Sequence, residues 1–220
     1  MRYKNVVIGE FIDRPNRFIA NVTVDGVVET VHVKNTGRCK EILIPGVLVA
    51  LEMSDNPNRK TKYDLIAAKR DGVGWINIDS QAPNTVMKEY LESLDFDYIK
   101  PEYKYGKSRI DFYLEKGVDK YLIEVKGCTL FKDGIGYFPD APTKRGVKHL
   151  EELARAARDG YHCAVAFVIG ADGIEQVYPN METHPEFGEA LERAKKEGVK
   201  VLFIKTHVTE DDFTAVVNQI

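Results

Sequence analysis

Up to about residue 80 the chain alternates hydrophobic and polar positions in short runs. Val6 to Ile12, Phe18 to Val24, Val27 to Val33, Val47 to Met53, Tyr63 to Lys69 and Gly74 to Ile78 each read as strands. Asp25-Gly26 and Asp71-Gly72 mark turns. Little helical periodicity interrupts them. Five or six strands in so short a span predict a compact barrel of the OB type, a frequent carrier of oligonucleotide binding.

Near Ser80-Gln81-Ala82-Pro83 the pattern changes to mixed helix and strand, which places a domain boundary between residues 1–82 and 83–220. Asn84 reads as a helix N-cap, followed by an apolar face of Val86, Met87, Tyr90, Leu91 and Leu94. Strands follow over Tyr98 to Tyr105, Ser108 to Glu115 and Lys120 to Leu130. A helix starts at Thr143, turns Val147, Leu150, Leu153 and Ala154 inward, and ends at Asp159-Gly160. Strand His162 to Ile169, helix Pro185 to Gly198 and strand Val199 to Thr206 complete an α/β (α+β) layer arrangement.

Candidate chemistry lies on two of these strands. Glu124 and Lys126 are two apart, so they share a strand face, and pairing across the Lys116–Lys120 turn brings Asp111 beside them. Two close carboxylates on a largely apolar sheet raise each other's pKa, and a divalent cation removes the conflict. Oxygen ligands suit Mg²⁺ or Mn²⁺, which complete their shells with water and phosphate. Lys126 would then orient or deprotonate a water, or stabilise charge developing on the phosphate, in metal-assisted phosphodiester hydrolysis. The same three charges also suit an ordinary cross-strand ladder.

Charge distribution sharpens this picture. The 220 residues are 44% hydrophobic and 30% charged, enough for one large domain or two small ones, with a net charge of −3. Residues 100–150 hold 11 basic against 7 acidic side chains, whereas 151–220 hold 7 against 13. Positive charge therefore gathers around the carboxylates, where a phosphate backbone needs it. Cys39, Cys128 and Cys163 show no CxxC spacing, so buried thiols in a reducing cytoplasm fit better than zinc or disulfides. The opening residues lack an apolar targeting stretch, no apolar run reaches membrane-spanning length, and no GxGxxG or P-loop pattern appears.

The order helix, three strands, helix, strand resembles the PD-(D/E)XK nuclease core. The chain as a whole resembles the sugar fermentation stimulation protein A (SfsA) family. The matching stretches are Arg17-Phe18-Ile19-Ala20, Asn35-Thr36-Gly37-Arg38, Pro45-Gly46, Arg59-Lys60-Thr61-Lys62-Tyr63, Ser108-Arg109-Ile110-Asp111, Glu124-Val125-Lys126, Phe138 to Gly146 and His149 to Leu153. The resemblance implies an N-terminal OB-like β-barrel, a nuclease-like αβββαβ domain and DNA binding. It implies Asp111, Glu124 and Lys126 as catalytic residues, with the Val125 carbonyl and a first-helix carboxylate, Glu89 or Glu92 on the neighbouring face, joining Asp111 and Glu124 as metal ligands. Gly127 stands where a small polar residue is common in the family, and Cys39 where Met is frequent.

Arg17, Arg38, Arg59, Lys60, Lys62, Arg109, Lys144 and Arg145 are the candidate nucleic-acid contacts. Gly37 reads as a positive-φ position, and Lys144 and Arg145 fall in the first turn of a helix, where cations oppose the dipole unless they face a phosphate. His149 and Glu152 share a helix face near the site. Two functions fit: a Mg²⁺-dependent nuclease acting on DNA, and a DNA-binding regulator that keeps the nuclease fold without cutting. No membrane partner is expected, and oligomeric state, a homodimer included, is open.

Overall fold

The computed structural model describes residues 1–106 and 108–216. Six N-terminal strands form where the alternation places them, each end within one residue: β1 (Val6–Asp13), β2 (Ile19–Val24), β3 (Val27–Val33), β4 (Leu48–Met53), β5 (Tyr63–Arg70) and β6 (Gly74–Asn77). β1 pairs antiparallel with β2 and β4, β2 with β3, and β4 with β5. The ring closes where β3 runs parallel to β5, at His32↔Asp64 and Val33↔Leu65. The result is a five-stranded OB-like barrel that removes its own edges, with β6 added as a hairpin on β5. Ala20, Val22, Val31, Val49, Leu51 and Leu65 fill it and are wholly buried.

The C-terminal unit runs α1 (Ala82–Glu92), β7 (Tyr98–Tyr105), β8 (Ser108–Lys116), β9 (Asp119–Cys128), β10 (Leu130–Lys132), β11 (Ile135–Phe138), α2 (Lys144–Arg158), β12 (His162–Ile169), β13 (Val177–Pro179), α3 (Pro185–Lys196), β14 (Lys200–Ile204), β15 (Thr206–Val208) and β16 (Phe213–Ala215). Its main sheet has the order β14-β12-β9-β8-β7. The β7–β8–β9 meander is antiparallel, and β12 runs parallel to both neighbours. β12 is buried from Cys163 to Ile169, which explains its unbroken apolar run. α1 covers one face with Val86, Met87 and Leu91 against Phe112, Leu114, Ile123 and Val125. On the other face α2 brings Leu150, Leu153 and Ala156 into the cluster that holds Leu122, Val165 and Phe187. This is the αβββαβ order that the sequence pattern predicts, following the barrel.

Two local expectations need correction. The third strand of the meander stops at Cys128, because the chain turns into a separate hairpin, β10–β11, across Asp133 and Gly134 at φ of 52° and 76°. β11 then pairs with β13, and these strands of three or four residues are too short to show a period. The first helix begins at Ala82, not after Asn84, because Pro83 suits the first turn, where a missing N–H costs nothing. Asn84 is thereby released for another role.

The barrel and the C-terminal unit are sewn together by polar groups. The Asn77 N–H donates to the Gly170 carbonyl at 2.8 Å, and a Cβ on Gly170 would meet the Asn77 oxygen at 2.9 Å. Beside this junction, and within residues 1–82 themselves, the buried Asp79 carboxylate pairs with Lys34 at 2.6 Å and accepts from the Tyr3 hydroxyl at 3.2 Å. Burial, with Asp79 beside it, pushes the Tyr3 hydroxyl well above the usual tyrosine range. No helix among the described residues is long and apolar enough to cross a membrane.

Candidate metal centre and nucleic-acid interface

The β8–β9 ladder runs from Lys116↔Asp119 to Phe112↔Ile123 and stops there. One residue further, the Asp111 side chain replaces the missing strand partner: its Oδ2 accepts the Val125 N–H at 2.7 Å. The other oxygen, Oδ1, accepts from Asn84 Nδ2 of α1 at 3.1 Å. The released Asn84 is therefore a ligand to the site, a role hidden when it is read as a cap. In a strand a residue's C=O points to the same side as its N–H, so the Val125 carbonyl faces the gap that Asp111 fills.

Glu124 is 2% exposed on β9. Its Oε1 takes hydrogen bonds from both Lys126 Nζ and His149 Nδ1, while its Oε2 is buried with no partner. Burial pushes the Glu124 carboxyl up, but the His149 bond and the Lys126 charge outweigh it and hold the group below the usual carboxylate range. Asp111 goes the other way: burial and the neighbouring Glu124 charge raise it, against the Val125 N–H, Lys126 and Asn84. The pair thus consists of one carboxylate held ionised and one biased towards its proton.

His149, itself 5% exposed, is fixed from both sides. Arg145 Nε donates to His149 Nε2 at 3.4 Å. A guanidinium only donates, so Nε2 must keep its lone pair and Nδ1 must carry the hydrogen that goes to Glu124. Glu152, one turn on, is also buried. One of its oxygens lies 4.0 Å from Lys148, and the other has no partner.

The carboxylate set is smaller than expected. Glu89 pairs with the N-terminal ammonium at 2.6 Å instead of turning to Asp111, because Asn84 occupies the α1 position beside the pair. Among the described residues no three His, Cys, Asp or Glu side chains form a ready-made metal cluster. The two-carboxylate donor set nonetheless fits a hard divalent cation, since Glu124 Oε2 is a buried acceptor with nothing to accept.

The basic candidates separate into three groups. Arg109, Lys144 and Arg145 line one groove of about 390 Å³ with Lys148 and His149. Arg17 and Arg38 line a second hollow, about 570 Å³, on the barrel. Arg14, which the sequence reading passed over, shapes that hollow by donating to the carbonyls of Arg17, Asn35, Gly37 and Arg38 at 2.5–2.8 Å. Arg59 is engaged elsewhere, in a two-pronged pair with Asp64 at 2.6 and 2.7 Å that His32 completes at 2.8 Å. Lys60 and Lys62 remain exposed, and Lys62 lies over the Tyr63 ring at 4.8 Å.

A third cleft, about 350 Å³, lies between barrel and C-terminal unit and brings Asn35, Gly37 and Asp79 opposite Pro83, Gly127 and Asp140. Gly37 does not take a positive φ. It is needed because a Cβ there would meet Asn35 Oδ1 and Asp140 Oδ2, both at 2.9 Å. Gly127 follows the same logic: a Cβ would meet Pro83 at 2.8 Å, which accounts for glycine directly after Lys126.

Comparison with known proteins agrees with this architecture. Residues 12–78 match the model described as the SfsA N-terminal OB domain, and residues 81–212 that described as the sugar fermentation stimulation protein RE domain. The chain belongs to the SfsA family. A sugar fermentation stimulation protein homolog from Desulfitobacterium hafniense is 51% identical over 218 residues, covering 98% of this chain and 95% of that one. The family homolog from Ruminiclostridium cellulolyticum is 48% identical over 224 residues, 100% and 98% of the two chains. Among solved structures, Pyrococcus furiosus SfsA in complex with Ca²⁺ superposes with a TM-score of 0.84 at 26% identity, over 98% of this chain and 96% of that one.

Proposed function

We propose that this member of the SfsA family is a DNA-binding, metal-dependent phosphodiesterase, with residues 1–82 as a nucleic-acid-binding barrel and residues 83–220 as the nuclease-like unit. The observation that carries the reading is Glu124 Oε2, a buried carboxylate oxygen left without a donor next to a second carboxylate. Asp111, Glu124 and the Val125 carbonyl would hold Mg²⁺ or Mn²⁺. The pyrococcal relative's complex with Ca²⁺ supports a divalent cation here. When bound, the cation polarises the phosphoryl oxygens and activates a water.

The chain's own residues supply the rest. Asn84 and the Val125 N–H orient Asp111. His149 and Lys126 share Oε1 of Glu124 and so keep Oε2 free for the metal. An ammonium that donates to Glu124 has no lone pair with which to take a proton, so Lys126 uses its remaining donors to orient a water or to meet charge developing on the phosphate. The cationic grooves hold the flanking strand by its phosphates.

Cleavage of labelled single- and double-stranded DNA and RNA with Mg²⁺ or Mn²⁺, wild type against Asp111→Ala, tests the reading. Cleavage of DNA by wild type alone, with binding retained in the variant, is the expected result. Binding without cleavage of any substrate would leave the non-cutting regulator as the better account.

A further inference from the structure

A strongly cationic groove lies between the start of β8 and the first turns of α2. Its described lining includes Arg109, Lys144, Arg145 and Lys148 and no carboxylate. Like charges crowded around one open hollow repel each other unless water or an anion screens them. Two of the four are partly neutralised from outside: Arg109 reaches Glu102 at 3.1 Å, and Lys148 lies 4.0 Å from Glu152. Among the described residues neither Lys144 nor Arg145 makes an ion pair.

His149 belongs both to the wall of this groove and to the carboxylate centre. Its Nδ1 donates to Glu124, and its Nε2 accepts from Arg145 Nε. That bond uses only one of the five guanidinium donors. The two amino groups of Arg145 remain, and they form the planar edge that meets a phosphate through parallel hydrogen bonds.

The geometry points to a phosphate subsite: Arg145 and Lys144 hold a backbone phosphate of the bound strand away from the bond being cut, and the Arg145–His149–Glu124 chain couples that subsite to the metal centre. The inference rests on the nuclease reading and adds a device to it. A phosphate that fixes the guanidinium also fixes Nε on His149. That holds the Nδ1–H tautomer, keeps Glu124 Oε1 occupied and presents Oε2 to the cation. His149 is thus a positioning residue. Because coupling between binding sites is reciprocal, strand and cation each tighten the other.

The test is calorimetric titration of Ca²⁺ with and without a short phosphorothioate-linked oligodeoxynucleotide. In wild type the oligonucleotide tightens Ca²⁺ binding about fivefold or more. Arg145→Lys keeps the charge but cannot hold phosphate and His149 together, so both ligands still bind and the tightening disappears. His149→Asn places an amide N–H where Nδ1 stood, so it can donate to Glu124, but its shorter side chain puts no acceptor at the Nε2 position that Arg145 meets. It retains Ca²⁺ affinity and loses the coupling, whereas His149→Ala weakens Ca²⁺ binding itself. Equal tightening in wild type and Arg145→Lys overturns the inference, as does a Lys144→Ala, Arg145→Ala double variant that binds the oligonucleotide as tightly as wild type. Ca²⁺ binding that the oligonucleotide leaves unchanged defeats the coupling alone. No Ca²⁺ binding in wild type defeats the metal reading beneath it.

Discussion

Two aspartates, Asp64 buried in the barrel and Asp111 half-buried in the C-terminal unit, meet opposite fates. Asp64 in the barrel receives both prongs of Arg59 and the His32 ring. Burial pushes its carboxyl up, but those partners outweigh burial and hold it below the usual range. Asp111 in the C-terminal unit has only an amide side chain and a backbone N–H as direct donors, lies beside a second carboxylate, and is held above that range. Charge that is fully answered fixes a fold. Charge left partly unanswered in a buried place is stable in function only when a ligand completes it. The two sites show the difference within one chain.

The largest effect that can break this contrast is catalytic. Asp111→Ala is expected to reduce cleavage by more than about a thousandfold, since several kcal/mol of metal-derived stabilisation go with the ligand. DNA affinity, which the proposed function assigns to the cationic grooves, should change little. Loss of binding with cleavage intact would contradict the assignment.

Next in size is the structural partner. Asp64→Ala should lower stability by about 2 kcal/mol, through lost charge-assisted hydrogen bonds, seen as a fall in the urea midpoint. Metal affinity should not move. A variant that kept wild-type stability but lost metal binding would reverse the roles given to the two aspartates.

Asn84→Ala sharpens the comparison from the other side. Removing an outer-sphere donor to a metal ligand weakens the site by about tenfold. Isothermal titration would show that loss without a matching loss of DNA binding. Unchanged metal affinity would reduce Asn84 to a packing residue.

The smallest effects are in pH dependence, and their signs differ. The depressed folded pKa of Asp64 means that the unfolded chain holds its proton more tightly. The stability it contributes is complete above the ordinary aspartate value, about 3.9, and is lost as pH falls through the folded value. For Asp111 in the metal-free protein the native state holds the proton more tightly, so stability falls as pH rises from the ordinary value through the raised one. Asp64→Asn should flatten the acid limb of urea melts below that ordinary value, and Asp111→Asn should remove the loss above it. Shifts of the same sign in both variants would undo the distinction.

Much of this was legible in the residues. Strands of five to ten residues with alternation or an apolar run showed themselves, as did the four-residue β6 beside its Asp71-Gly72 turn, and so did the Asp111, Glu124 and Lys126 constellation, because period and hairpin pairing are local. The losses were of two physical kinds. β10, β11 and β13 span three or four residues, below the length at which a period exists. Asn84 and Arg14 act through tertiary contacts across 27 and up to 24 positions of chain, which no local spacing encodes; His149 was legible as a residue near the site, but its bond to Glu124 was not. Pro83 was the one signal that could have moved the helix start back and freed Asn84 for the site. Glu89 illustrates the converse: it lies on the right helix, but the N-terminal ammonium claims it.

The most direct test of the central claim is calorimetric titration of the protein with Mn²⁺ in wild type, Asp111→Asn and Asp64→Asn. The account predicts one saturable site in wild type and in Asp64→Asn, and none in Asp111→Asn. Equal binding by wild type and Asp111→Asn would contradict it.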